Sequence, residues 1–166
     1  MLGLEKRRLS NSGPEVTFFG FGALEIGRNW GLGKGEEVER PAAEAAGQVL
    51  NAVLDMGINL IDTASAYHAS EARIGEFIGH RRNEYILASK CGEYSDEPRT
   101  GYDFSYDGIA KSIGNSLDLL KTDCLDLLQI HFGPDPQKVL DDGETVKAMK
   151  EARAAGKVKL LGASIG

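Results

Sequence analysis

Apolar and polar positions along this chain follow two periods, and the period switches repeatedly. Arg7 to Ser10 and Glu15 to Phe19 flank the turn formers Asn11-Ser12-Gly13-Pro14, which predicts a β-hairpin. Phe18 to Phe21 is a short apolar run ended by Gly22. Residues 25–41, with Gly27, Gly31, Gly33, Gly35 and Pro41, read as a loop. From Pro41 the spacing turns helical: Ala42, Ala46, Val49, Leu50, Val53 and Leu54 form one stripe, stopped by Gly57. Ile58 to Ile61 predicts a strand. Ser70 opens a second helix carrying Ala72, Ile74, Phe77 and Ile78, with Gly79 as its stop. Tyr85 to Ser89 predicts the next strand, and Gly92 to Phe104 a loop broken by Pro98 and Gly101. Ser105 is the expected N-cap of a third helix with Ile109, Ile113, Leu117 and Leu120. Leu125 to Ile130 predicts a strand, residues 133–138 a loop, Gly143 to Ala155 a fourth helix ended by Gly156, and Val158 to Ala163 a last strand. Strand and helix alternate with short connections, the pattern of a parallel sheet wrapped by helices.

The polar residues fall at telling places in that pattern. Each apolar strand runs into a polar group: Ile61 into Asp62, Ser89 into Lys90, Ile130 into His131, Ala163 into Ser164. In a parallel α/β sheet those ends share one face. In a barrel they converge on the mouth where active sites lie. In an open sheet they line the crevice at a switch point. An isolated Asp, Lys or His after a strand is ordinarily a cap or a solvated group. Four such ends in successive units point to a site.

Composition narrows the reading. The 166 residues are 42% apolar and 27% charged, enough for a globular domain with a core. The formal net charge of −6 argues against a general nucleic-acid or membrane-surface binder. No apolar run approaches the roughly 18 residues that span a bilayer. The N-terminal charges are not followed by an apolar segment, so no secretory signal is visible and a cytoplasmic location is expected. Cys91 and Cys124 match no metal or redox spacing and read as reduced thiols. His68, His80 and His131 lack metal-ligand spacing, so no metal site is expected. Gly20-Phe21-Gly22 begins like a dinucleotide fingerprint, but Glu25 occupies the third glycine position. Gly33-Lys34 lacks the rest of a P-loop.

Ile61-Asp62-Thr63-Ala64-Ser65-Ala66-Tyr67 followed by Ser70-Glu71-Ala72-Arg73-Ile74-Gly75 resembles the signature segment of the aldo-keto reductases. Ala88-Ser89-Lys90, Gln129-Ile130-His131 and Gly156-Lys157-Val158 with Gly162-Ala163-Ser164 are similar to that family's later motifs. The opening hairpin and Gly20-Phe21-Gly22-Ala23 match its bottom plug and first strand. The resemblance implies an α/β fold of the (β/α)8 TIM-barrel type, and hydride transfer between a nicotinamide cofactor, usually NADPH with NADH the alternative, and a small carbonyl or sugar-like substrate. It implies Asp62, Tyr67, Lys90 and His131 as catalytic residues. Gly22, Ala23, Asp62 and Ser164 are implied at the cofactor, and Trp30 and Phe132 at the substrate pocket. Ile165 stands where many relatives carry Asn. The residue types suit the chemistry. Hydride addition builds negative charge on the carbonyl oxygen, so a positioned acid is needed. A phenol beside a lysine ammonium is a better proton donor than a free one. A histidine N–H can hold the oxygen.

A barrel of this class needs about 250 residues. The sequence is therefore expected to form one incomplete domain over residues 1–166, ending after the fifth strand. Two function classes stay open. One is an NAD(P)H-dependent oxidoreductase. The other is a catalytically impaired barrel fragment acting as a binding or assembly partner, with self-association through open sheet edges.

Overall fold

The computed structural model of the chain describes residues 3–11, 13–31, 37–133 and 135–164. The hairpin forms as β1 (Lys6–Arg8) and β2 (Glu15–Thr17), paired antiparallel. Its anchor is Asn59. The Thr17 N–H donates to Asn59 Oδ1 at 2.6 Å, the Asn59 N–H to Thr17 Oγ1 at 3.1 Å, and the Asn59 amide to the Glu15 carbonyl at 3.0 Å. The hairpin is thus fastened just before β6 (Leu60–Asp62), at the end of that strand opposite Asp62.

Between hairpin and β6 lie β3 (Phe21–Gly22), a ribbon of β4 (Trp30–Gly31) and β5 (Glu37–Val38), and α1 (Ala43–Asp55). After β6 come α2 (Ser70–Phe77), a 3-10 turn over Gly79–Glu84, and β7 (Ile86–Cys91). The segment expected as a loop after β7 is instead a hairpin, β8 (Glu93–Asp96) with β9 (Arg99–Tyr102). Period-two alternation marks a strand only when one face is buried. This hairpin buries Glu93 and leaves most of its other residues in contact with solvent, so it carries no such signal. Next are α3 (Tyr106–Leu120), β10 (Leu125–His131), α4 (Pro136–Asp142), α5 (Glu144–Ala154) and β11 (Val158–Ser164). Helix α4 falls across the end of the expected loop 133–138 and the four residues before the expected fourth helix. Asp135 caps it by accepting from the Lys138 N–H at 3.2 Å, with Pro136 at its first turn. Ser105 caps α3 as its sequence position predicts, accepting from the Gly108 N–H at 3.1 Å.

The five parallel strands stand in the order β3-β6-β7-β10-β11, with helices between them in the chain. That is the repeating unit of a (β/α)8 barrel. Register sorts the strand residues onto two faces. Ile61, Leu87, Ser89, Cys91, Asp126, Leu128 and Ile130 lie under the helices and are all buried. The other face carries Leu60, Asp62, Ile86, Ala88, Lys90, Leu125, Leu127, Gln129, His131, Val158, Leu160, Gly162 and Ser164, of which Ala88, Lys90, Leu125 and Val158 are buried and the rest are not. On the helical side α2 and α3 cross closely at Gly75. A Cβ there would stand 2.0 Å from the Leu119 carbonyl oxygen.

Candidate functional site

The strand-end groups gather on the half-open face. Asp62 ends β6 and pairs in register with Ala88 of β7. Two residues further along β7 the side chain returns to the same face, which puts Lys90 beside Asp62. Lys90 pairs in register with Gln129 of β10, and His131 pairs with Ser164 of β11.

Lys90 is the hub. It is 5% exposed, and its Nζ donates to Asp62 Oδ2 at 2.5 Å, to the Thr63 carbonyl at 2.9 Å and to Tyr67 Oη at 3.4 Å. All three donors of the ammonium are therefore used. Its Nζ also sits 5.0 Å from the Tyr67 ring centroid. Asp62 uses its second oxygen to accept from Gln129 Nε2 at 3.3 Å. The Tyr67 and His131 rings meet edge to face with centroids 6.0 Å apart.

Tyr67 lies in the loop between β6 and α2, and that loop is held along its length. The Ser65 hydroxyl lies 2.9 Å from the Lys90 carbonyl and 2.6 Å from the Glu93 carbonyl. The Tyr67 carbonyl accepts from the Ser70 N–H at 3.0 Å. Gly27 packs against the same backbone: a Cβ there would stand 2.1 Å from the Tyr67 carbonyl oxygen. Only a glycine allows the β3–β4 connection to press on Tyr67 this closely.

His131 brings its Nδ1 within 3.1 Å of Glu93 Oε2. The approach makes no hydrogen bond, and among the described residues this buried nitrogen has no hydrogen-bond partner. Burial holds His131 below its usual titration range. The Glu93 charge pulls it up, Lys90 pushes it down, Asp62 pulls it up, and Arg28 pushes it down.

Asp62, Tyr67, Lys90 and His131 are thus within one cluster. Ser164 ends β11 beside His131. Residues 162–166 have the Gly-x-Ser-x-Gly spacing of a nucleophile elbow, but among the described residues no hydrogen bond joins Ser164 to a histidine. Gly22 ends β3 opposite Asp62, and a Cβ added to it would meet nothing within 4 Å. Ala23 is fully buried in the helix-side core, and its N–H donates to the Asp62 carbonyl at 2.8 Å, so it reaches the site through backbone alone. Phe132 is half-buried against the core immediately after His131. The Trp30 side chain and Ile165 lie outside the described residues. Reading the sequence for site residues missed Gln129 and Glu93. Gln129 stands two residues before His131, so strand periodicity already puts both on one face. Glu93 has no comparable signal, because it enters through the β8–β9 hairpin.

The cluster fits a nicotinamide. The bare Gly22 leaves space at the strand end beside the Asp62 carboxylate, and Ser164 ends β11 on the same face, beside His131. Among the described residues no group of three His, Cys, Asp or Glu side chains could hold a metal ion, and no helix is long and apolar enough to cross a membrane. A separate cavity of about 490 Å³ opens between the β8–β9 hairpin and α3, lined among others by Ser65, Glu71, Lys111 and Ser116.

The family model described as Aldo/keto reductase family matches residues 19–165. L-galactose dehydrogenase of Arabidopsis thaliana is 34% identical over 98% of this chain and 49% of its own length. 6-Dehydroglucose reductase of Novosphingobium aromaticivorans is 36% identical over 81% of this chain and 46% of its own. Among solved structures, an aldo-keto reductase of Bacillus halodurans in its holo form superposes with a TM-score of 0.79 at 30% identity, covering 97% of this chain and 50% of that one. The chain spans about half the length of the curated relatives it matches.

Proposed function

Because this chain belongs to the aldo/keto reductase family, we propose that the strand-end cluster is the proton-transfer centre of a nicotinamide-dependent oxidoreductase that interconverts carbonyl compounds and alcohols. Lys90 carries the reading: a buried ammonium touching a carboxylate, a carbonyl and a phenol at once is built to act on the phenol. The reduced nicotinamide, NADPH or NADH, supplies the hydride when bound. Tyr67 gives its Oη proton to the carbonyl oxygen as negative charge develops there. Lys90 stabilises the phenolate left behind, and Asp62 fixes the ammonium. His131 donates a hydrogen bond to the same oxygen. In the alcohol-oxidising direction the Tyr67 phenolate takes the hydroxyl proton instead. Gly22, Asp62 and Ser164 are the residues that would hold the nicotinamide, and Phe132, next to His131, would border the substrate. Two relatives have sugar-derived names, which supports a sugar-like carbonyl compound as substrate. Residues 1–166 are read as belonging to one domain.

Tyr67→Phe tests this. The variant is expected to lose most aldehyde-dependent oxidation of NADPH while still quenching or enhancing cofactor fluorescence on titration. Near-normal turnover would overturn the assignment. A second reading, association through sheet edges, has its own observation: among the described residues β11 pairs only with β10, and β3 only with β6. Oligomers on a sizing column without cofactor binding would favour it.

A further inference from the structure

We infer that Glu93 is the positioning carboxylate of His131, holding its Nδ1 side so that Nε2 is presented to the substrate oxygen. The inference rests on the proposed role of His131, but the contact itself stands on geometry. Glu93 follows Gly92, whose φ of 103° turns the chain from β7 back over the strand ends. Glu93 is held at both ends: Thr100 Oγ1 donates to its carboxylate Oε1 at 2.6 Å, and the Ser65 hydroxyl donates to its main-chain carbonyl. That leaves Oε2 facing His131 Nδ1 at 3.1 Å, with the histidine side chain only 20% exposed and the glutamate side chain 12%. Among the described residues no lysine or arginine forms an ion pair with Glu93, whereas Asp62, the other carboxylate near the ring, is paired with Lys90.

The groups facing His131 are then Glu93 from the hairpin, Lys90 from β7, Asp62 from β6, Tyr67 from the following loop and Arg28 from the β3–β4 connection. Glu93 is the strongest of these charges on the ring, and it favours the doubly protonated form against burial. A small ring rotation turns the 3.1 Å approach into a hydrogen bond from Nδ1–H. Below its midpoint, which burial holds under the usual range, the ring is an imidazolium; oriented this way it donates from Nε2–H more strongly than a neutral ring does, and a charged donor suits an oxygen that is gaining charge.

The test is a histidine titration followed by NMR on the protein and on Glu93→Gln and Glu93→Asp, with His80 as internal reference. Gln keeps an acceptor for Thr100 and removes the charge. The His131 midpoint is expected to fall by about one pH unit in Glu93→Gln, a roughly tenfold weaker proton affinity. It should fall less in Glu93→Asp, and the ring nitrogen shifts should report less protonated Nδ1 in both. An unmoved midpoint in both variants overturns the inference; if Glu93→Gln does not fold, Glu93→Asp alone decides. Carbonyl reduction is read alongside: its loss toward high pH should move down with the midpoint. If the midpoint moves but the parent protein reduces no carbonyl compound, the proposed function fails and the Glu93 assignment survives.

Discussion

Ser89 and Lys90 are neighbours on β7, and they anchor two polar clusters on opposite faces of one strand. Lys90, on the half-open face, meets a carboxylate, a carbonyl and a phenol. Ser89, under the helices, donates to Glu71 Oε1 at 2.6 Å, and Ser116 of α3 donates to Glu71 Oε2 at 3.1 Å. Each cluster contains a buried ionisable group. The Lys90 ammonium has an opposite charge in contact. Among the described residues the Glu71 carboxylate bonds only two hydroxyls, and burial raises its titration from 4.5 to about 6 despite those hydrogen bonds and the Lys90 charge beyond them. The difference separates the tasks. The outer cluster ties α2, β7 and α3 together and is cheapest when neutral. The inner cluster holds charge beside a phenol, an arrangement that chemistry needs and packing does not.

If the tasks are separate, substitutions on the two faces should have opposite signatures. The largest effect is expected from Lys90→Met, which removes the charge beside Tyr67. Carbonyl reduction should fall about 100-fold or more. The urea midpoint should move little, because the half-exposed Asp62 carboxylate is left with water and Gln129. Steady-state rates and urea titrations on the same preparations check both halves, and a large loss of stability would show that Lys90 supports the fold as well. Gly75→Ala should do the reverse. Its Cβ would collide with the Leu119 carbonyl oxygen, and forcing α2 from α3 is expected to cost about 3 kcal/mol by urea unfolding. Activity per folded molecule should persist.

Much of this division was legible in the sequence, for a physical reason. A strand's two-residue period fixes the face of every side chain once its end is known, so Asp62, Lys90 and His131 could be placed on one face before any coordinates. The same rule would have added Gln129. Tyr67 was different: it sits in a loop, where no period applies, and only the likeness of residues 61–75 to a known motif singled it out. Glu93 had neither signal. Its hairpin is exposed along most of its length, so it alternates nothing against a core, and the contact with His131 joins residues 38 positions apart. Helix α4 escaped for a related reason. It buries only Val139, too little to print a stripe.

Glu71→Gln sharpens the outer half of the comparison through pH. A carboxyl whose folded titration point lies above its unfolded one contributes stability fully below about 4.5, and that contribution is lost as pH rises through about 6. From 4.5 to 6 the loss amounts to about 2 kcal/mol. Gln stays neutral at every pH and can still bond both hydroxyls. The variant is expected to match the parent near pH 4 and to exceed it by about 2 kcal/mol at pH 7.5 in urea unfolding. A constant difference across that range would mean that Glu71 titrates alike in the folded and the unfolded protein.

Ser116→Ala gives the smallest effect and the finest distinction. The Ser116 hydroxyl makes the longer of the two bonds to Glu71, at 3.1 Å against 2.6 Å for Ser89. Its loss should cost about 1 kcal/mol. What matters is when that cost appears. A hydroxyl donated to an ionised carboxylate is worth more than one exchanged with a neutral acid, so the penalty should be larger at pH 7.5 than at pH 4. In the Glu71→Gln background it should shrink at pH 7.5 toward its low-pH size. Such a double-mutant cycle reads the coupling directly. If the coupling is equal at both pH values, the hydroxyls act as packing, and the outer cluster is then not the charge-averse counterpart of the Lys90 site.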